Sequence, residues 1–169
     1  MLDLFVQGFG RLAAVAASAL RVSLILAVAV MLSSIVLQVV MRYVLGNTLS
    51  WTEELAILMF AWLTLGGLAL GVYEGFHVRL DLLISYLPPV LRLVAEKAIG
   101  ILTIAFGGYM AWSGERFFDM TRGSISAAIG YPIEFLHGLA PVAGALICLF
   151  AINGLFAAPR PDAEPDLAP

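Results

Sequence analysis

The segment Val22–Met41 reads VSLILAVAVMLSSIVLQVVM, a run of 20 residues without Asp, Glu, Lys or Arg. Three further uncharged runs are Leu55–Tyr73, Ala98–Gly114 and Phe135–Pro159. An α-helix needs roughly 20 apolar residues to cross the hydrocarbon core, and it satisfies its backbone hydrogen bonds internally. A membrane β-barrel would show short segments of alternating polarity instead. The sequence therefore predicts an all-α membrane protein with four transmembrane helices.

The composition agrees with a chain that is largely surrounded by lipid. Of its 169 residues, 62% are hydrophobic and 12% are charged, whereas soluble domains carry about 25% charged residues. The net charge of −3 gives no indication of nucleic-acid binding. Cys148 is the only cysteine, so an intrachain disulfide or a dithiol redox site is excluded.

Residues 1–158 are expected to form one membrane domain. We expect its spans at about residues 20–43, 51–73, 96–115 and 133–157. Between spans 2 and 3, residues 79–95 mix charged and apolar side chains around Pro88-Pro89, which predicts a membrane-surface arm helix. The tail at 159–169 is acidic and rich in proline, so we expect it to be disordered.

The N-terminal segment, residues 2–19, has apolar residues at helical spacing and Arg11 on another face. It is either a helix in the headgroup layer or an extension of span 1. A cleaved signal peptide is not expected, because Arg21 interrupts the short apolar stretch and a full span follows. Lys and Arg residues divide six to three between the two sides, which predicts cytoplasmic N- and C-termini.

Polar residues concentrate at the first hairpin. Ser50 and Glu53 have the spacing of a capping box, so helix 2 is expected to begin at Trp51. Glu53 and Glu54 suit the positive end of this helix. Arg42 either pairs with one of these two carboxylates or is solvated on its own.

Within the spans, three features stand out. Gly67 and Gly71 form a GxxxG pattern, which marks close helix contact either within the chain or with a partner. Pro132 is expected to open helix 4, and Pro141 to kink it by removing a backbone hydrogen bond. Trp62, like Trp51, is expected to pack or to anchor at an interface.

The sequence gives little support for an ion path or an enzyme. The first three spans contain no ionisable residue at membrane depth, where transport sites usually carry one. His77 and His137 are expected at opposite ends of the bundle, which excludes a haem bridging them. A network of Glu74, His77, Arg79 and Asp81 is interpreted as structural. No catalytic motif is found and no cofactor is expected.

Four stretches, taken together, resemble one family. They are Arg42-Tyr43, Trp51-Thr52-Glu53-Glu54, Trp62-Leu63-Thr64-Leu65-Gly66 and Gly75-Phe76-His77 with Asp81. Their order resembles the small membrane subunit, of the DctQ-like family, of tripartite ATP-independent periplasmic (TRAP) transporters. The likeness covers roughly residues 20–155.

The resemblance implies a location in the bacterial inner membrane and two protein partners. A large membrane subunit would carry the solute and sodium sites. A periplasmic binding protein would deliver an organic acid, such as a C4-dicarboxylate or a sugar acid. The small subunit would brace the large one among membrane lipids while an ion gradient drives uptake. The residues expected in subunit contacts or structure are Arg42, Trp51, Glu53, Glu54, Trp62, Gly67, Gly71, His77, Arg79, Asp81, Pro132 and Pro141.

Other functions remain open on the sequence alone. A stand-alone small exporter would need an acidic residue within a span, and Val22–Met41 has none. A membrane-embedded enzyme would need a catalytic set. A membrane assembly factor is the alternative that the sequence excludes least well.

Overall fold

The computed structural model describes residues 2–75 and 88–156, and its regular elements are helices. They are α1 (Leu2–Tyr43), α2 (Ser50–Glu74), α3 (Pro89–Met120), α4 (Glu134–His137) and α5 (Leu139–Phe156). In the described ranges the strand-like pairing is limited to one isolated bridge between Ile125 and Pro132. The predicted all-α class is therefore confirmed.

Three helical segments are long and apolar enough to cross a membrane. They are Gln7–Tyr43, Ser50–Glu74 and Glu134–Leu155, the last of which combines α4 and α5. Helix α3 has 32 residues. In the described part of the chain, however, it is not among the helices that are both long enough and apolar enough to cross a membrane. Its charged residues lie toward its two ends, at 92–97 and at 115–119. Length and composition thus establish three candidate spans and leave the predicted third span open.

Helix α1 is continuous from the N-terminal segment into the first span. Its 42 residues give a length of about 63 Å, roughly twice the hydrocarbon thickness of a bilayer. From residue 7 onward, the buried positions of this helix form one narrow seam at intervals of four, three and seven residues: Ala13, Ala17, Leu20, Leu24, Ala27 and Ser34. Residues 2–19 therefore extend span 1 as part of the same helix.

Helix α2 begins one residue earlier than predicted, and the capping box does not form. Ser50 is its first residue, and Leu49 occupies the N-cap position without a side-chain cap hydrogen bond. With Leu49 at the cap, Ser50 lies inside the helix, where it cannot cap the backbone amide of Glu53. Thr52 is instead fully buried, and its hydroxyl donates to the Leu49 carbonyl at 2.6 Å.

Helix α3 includes residues 89–95, which the sequence assigns to the arm, and it continues without a break into the segment predicted as span 3. Pro89 stands at the start of α3 after Pro88 at the N-cap, a position where its missing N–H costs nothing. No helix breaker follows before Gly100, and Arg92 pairs with Glu96 one turn on at 3.0 Å. Residues 79–87 of the arm and the tail at 159–169 lie outside the described residues.

The fourth predicted helix is interrupted between α4 and α5 at Gly138. Pro141 has no N–H to donate to the carbonyl of His137 four residues earlier. The helix therefore restarts at Leu139, which leaves Pro141 in the first turn of α5, where a donor is not needed. The disturbance expected from Pro141 is present, and it takes the form of a break just before the proline.

The helices pack around α5. Helix α3 packs along α5, α2 lies between α1 and α5, and α1 also reaches α5. The core is centred on Ile147 and Phe150 of α5, both essentially inaccessible. Helices α2 and α3 barely touch each other, which leaves an apolar groove of about 310 Å³ between them, floored by Ile147.

Candidate functional site

The Glu54 carboxylate joins α2 to the loop between α3 and α4. Its Oε2 accepts hydrogen bonds from the Ser126 hydroxyl at 2.8 Å and the Ile129 amide at 2.9 Å. Its Oε1 accepts from the Ala128 amide at 2.8 Å. Hydrogen bonds to an ionised carboxylate are stronger than neutral ones. We call this group, formed by Glu54, Ser126, Ala128 and Ile129, the outer clamp, because the sequence predicts this end of the bundle on the outer side.

The loop that Glu54 binds is itself a small closed hairpin. The Ser126 amide donates to the Tyr131 carbonyl at 2.9 Å, and the Ile133 amide to the Ser124 carbonyl at 3.0 Å. Gly130 has φ +76°, a left-handed conformation that glycine adopts without a Cβ clash. Its amide donates to the Ser126 hydroxyl at 3.0 Å. The hairpin thus directs three donors toward the Glu54 carboxylate: the Ser126 hydroxyl and the amides of Ala128 and Ile129, which the hairpin itself does not use.

Tyr131 closes the hairpin beside the outer clamp. Burial raises the pKa of the Tyr131 phenol above its usual value, and the negative charge of Glu54 raises this pKa further. Both effects favour the neutral phenol. The outer clamp therefore holds one negative charge next to a tyrosine that stays protonated.

Glu134 and His137 close the other side of the same loop. The Gly123 amide donates to Glu134 Oε1 at 2.7 Å, and Gly123 has φ +80°. His137 Nδ1 lies 2.9 Å from Thr121 Oγ1, and its ring meets Phe117 edge-on with centroids 4.4 Å apart. These contacts tie α4 to the end of α3 and to the loop that follows it.

Polar contacts at the opposite end connect four helices in two pairs. Arg21 of α1 and Glu74 of α2 form an ion pair at 2.6 Å. Lys97 of α3 donates to the Leu155 carbonyl in the last turn of α5 at 2.7 Å, where a cation also suits the helix dipole. Both ends of the bundle are thus held by contacts between residues distant in the sequence.

The residues predicted around the first hairpin do not form the expected pair. The Arg42 guanidinium lies 5.8 Å from the centroid of the Tyr43 ring, and neither Glu53 nor Glu54 pairs with it in the described ranges. Glu53 is exposed. Trp51 is 41% exposed and lines a second groove of about 330 Å³ between α1 and α2.

Trp62 and the glycines of α2 face different ways. The Trp62 indole donates to the Ser23 hydroxyl of α1 at 3.2 Å. A Cβ added to Gly66 would lie 2.9 Å from Leu24 Cδ2, whereas one added to Gly67 or Gly71 would meet no atom within 4 Å. The close contact within the chain is therefore made at Gly66, and the predicted GxxxG pair leaves open space.

The remaining predicted residues fall into two groups. Pro132 takes part in the bridge to Ile125, and its carbonyl accepts from the Phe135 amide at 3.1 Å, just before α4 begins. Pro141 lies in the first turn of α5. His77, Arg79 and Asp81 lie outside the described residues.

Sequence reasoning missed Arg21 and Ser126 as partners of Glu74 and Glu54. Each is a single polar residue, and its partner is 53 or 72 positions away, so no local pattern marks the pairing. Among the described residues, no cluster of three or more His, Cys, Asp or Glu could hold a metal ion. The polar contacts described above connect helix ends to one another and to the loop before α4.

The known proteins to which this chain is similar belong to one family. The model of "Tripartite ATP-independent periplasmic transporters, DctQ component" matches residues 31–159. A C4-dicarboxylate TRAP transporter small permease protein from Vibrio cholerae is 41% identical over 54 residues, 32% of this chain and 23% of that protein. One of the same description from Rhodobacter capsulatus is 31% identical over 106 residues, 61% of this chain and 46% of that protein.

A third relative is named for another solute. The sialic acid TRAP transporter small permease protein of Vibrio cholerae is 27% identical over 135 residues, 76% of this chain and 74% of that protein. The chain spans less than half the length of each of the two C4-dicarboxylate relatives. Because the family model covers most of the 169 residues and includes the outer clamp and all helices from mid-α1 onward, the chain belongs to the DctQ component family of tripartite ATP-independent periplasmic transporters.

Proposed function

We propose that this chain is the scaffold subunit of a TRAP transporter in a bacterial inner membrane. It crosses the membrane four times, with α3 as its third span and with both termini in the cytoplasm. Helix α3 is long enough, at 32 residues, and it packs along α5, which belongs to a candidate span. A helix that packs along a transmembrane helix for most of its own length lies at the same depth in the bilayer as that helix.

The single observation that carries this proposal is the extent of apolar surface on α1. Outside its one buried seam the helix exposes large side chains, among them Ile25 at 63%, Leu26 at 61% and Val36 at 60%. Exposed apolar area on this scale marks contact with lipid or with other membrane helices. The open positions at Gly67 and Gly71 on α2 would let a partner helix approach closely.

The position of the charged groups supports a scaffold over an ion pathway. The ion pairs and charged hydrogen bonds lie at the two ends of the bundle, as Arg21 with Glu74 and Glu54 with Ser126. These contacts fix α1 to α2 and α2 to the loop before α4. We therefore assign the sodium and solute sites to a large membrane subunit, and to this chain no cofactor and no enzymatic step.

The solute is an organic acid that a periplasmic binding protein delivers. The relatives are named for a C4-dicarboxylate and for sialic acid, and both solutes carry a carboxylate. The small subunit is thus related to chains serving different acids, which fits a part that does not select the solute. The other partners are the membrane lipids around α1 and α3.

Co-purification with the large membrane subunit tests this proposal. The two chains would be co-expressed, with the affinity tag on this chain. We expect the large subunit to be recovered with the wild type and several-fold less with Gly67→Leu, since leucine fills the open approach on α2. Gly108→Leu on α3, another glycine with open space, controls for added bulk. Failure of the wild type to recover the large subunit would refute the proposal.

A further inference from the structure

An aromatic and cationic cluster lies on the outward face of α3, near its C-terminal end. The Arg116 guanidinium stacks over the Trp112 ring, 4.7 Å from its centroid. The Tyr109 ring centroid is 6.0 Å from that of Trp112. Trp112 is 53% exposed and Tyr109 is 65% exposed. Tyr and Trp with a nearby cation are typical of the headgroup layer of a membrane.

Arg116 carries a charge that the chain does not neutralise. In the part of the chain that the structure describes, no carboxylate lies within ion-pair distance of it, although Glu115 is adjacent. Arg122, one and a half turns further on, differs in this respect, because its guanidinium pairs with Asp119 at 3.2 Å. It also lies over an aromatic ring, that of Phe118, at 5.7 Å. The two arginines thus share a ring contact but not a counterion.

An apolar path leads from this cluster toward the middle of the bundle. Leu102, Phe106, Tyr109 and Arg116 follow one another at intervals of four, three and seven residues, so they share one face of α3. Leu102 and Phe106 also line the groove of about 310 Å³ between α2 and α3. From Arg116 to Leu102 the rise is about 21 Å, comparable to the length of a phospholipid acyl chain.

The geometry points to a binding site for one glycerophospholipid on α3. Its phosphate is held by the Arg116 guanidinium, with the Tyr109 hydroxyl and the Trp112 indole N–H as further donors. One of its acyl chains follows Phe106 and Leu102 into the groove between α2 and α3. The site is distinct from the outer clamp, and it does not depend on the proposed role in transport.

Charge complementarity decides between a phospholipid and a protein helix as the occupant. The planar guanidinium offers a fork of donors that matches the oxygens of a phosphate. Stacking on Trp112 holds that fork at the level of the headgroups while leaving its donors available. A protein helix filling the groove alone would leave the Arg116 charge without a partner.

Native mass spectrometry of the full chain in detergent, titrated with phosphatidylglycerol, tests the site. We expect one tightly retained lipid per chain and a loss of about fivefold in its retention for Arg116→Gln, the worth of one cation near a lipid surface. Arg122→Gln is the matched control and should retain the lipid as the wild type does. Leu102→Trp, which narrows the groove, should also reduce retention.

Each outcome either supports or overturns the site. A loss with Arg116→Gln and Leu102→Trp but not with Arg122→Gln supports the site. Equal losses for the two arginine variants would show that lipid retention depends only on general charge. No loss with either variant would show that it does not depend on this cluster. Either result would overturn the site. Unchanged retention in Leu102→Trp would refute the path of the acyl chain. If Leu102→Trp released a co-purified membrane subunit and no lipid, the groove would belong to a protein helix.

Discussion

The hydroxyl of Ser126 donates to the carboxylate of Glu54 at 2.8 Å, across 72 positions of the sequence. The backbone amides of Ala128 and Ile129 donate to the same carboxylate. One side chain at the start of α2 therefore fixes the hairpin that precedes α4. This contact connects the first helical hairpin of the chain to the second at one end of the bundle. Three hydrogen bonds to one carboxylate make up this link.

Replacing Glu54 by Gln should loosen this hairpin. The amide keeps the shape of the side chain but has one acceptor oxygen, so the Ala128 and Ile129 amides cannot both keep their bonds. We expect several-fold faster hydrogen exchange at these two amides and more rapid proteolysis between residues 123 and 131. Hydrogen exchange followed by mass spectrometry measures the first effect directly.

Glu53→Gln is the control for this experiment, because Glu53 is adjacent and exposed and contacts no part of the loop in the described structure. It should leave exchange at Ala128 and Ile129 unchanged. Equal acceleration in the Glu53 and Glu54 variants would mean that the charge of the helix start, and not the clamp, protects the loop.

Gly107→Ala should destabilise the packing of α3 on α5. A Cβ at Gly107 would lie 2.8 Å from Ile147 Cγ2 and 3.0 Å from the Gly144 carbonyl oxygen, so the helices must separate. Overpacking of this kind costs about 1–3 kcal/mol in the free energy of unfolding. Unfolding in detergent of Gly107→Ala and of Gly108→Ala provides the comparison, because a Cβ at Gly108 meets no atom within 4 Å. Similar stabilities of the two variants would contradict this packing.

The hydrogen bond between the Trp62 indole and Ser23 should contribute modestly to the pairing of α1 and α2. Interhelical hydrogen bonds in membrane proteins have coupling free energies of about 0.6 kcal/mol, and rarely more than about 1.7. A double-mutant cycle with Ser23→Ala and Trp62→Phe, read out by unfolding in detergent, measures this coupling. A coupling of zero would show that Trp62 contributes by packing alone.

The four uncharged runs could be found in the sequence because lipid imposes a length and a composition on each span. The same reasoning ended spans 1 and 2 at residues 43 and 73, close to the ends of α1 at Tyr43 and α2 at Glu74, but it began span 1 at residue 20, inside α1. It was wrong about Ser50 as a cap, because the cap position depends on where the preceding turn ends, and Leu49 takes the N-cap of α2.

The partners of the polar residues were beyond the reach of sequence patterns. Arg42 and Glu54 are neighbours across a short turn, so their pairing was a reasonable prediction, yet Glu54 turns toward the loop at 126–129. The GxxxG pattern marks Gly67 and Gly71 of α2, whereas the glycine of this helix that contacts α1 is Gly66. Which face of a helix meets a neighbour is decided by the packing of the whole bundle.

Solute uptake in proteoliposomes tests the scaffold role most directly. Vesicles would contain this chain alone, the large membrane subunit alone, or both, each with the periplasmic binding protein, an organic acid and a sodium gradient. The scaffold account predicts uptake only when both membrane subunits are present, and none from this chain alone. Uptake by this chain without the large subunit, or full uptake by the large subunit without this chain, would contradict it.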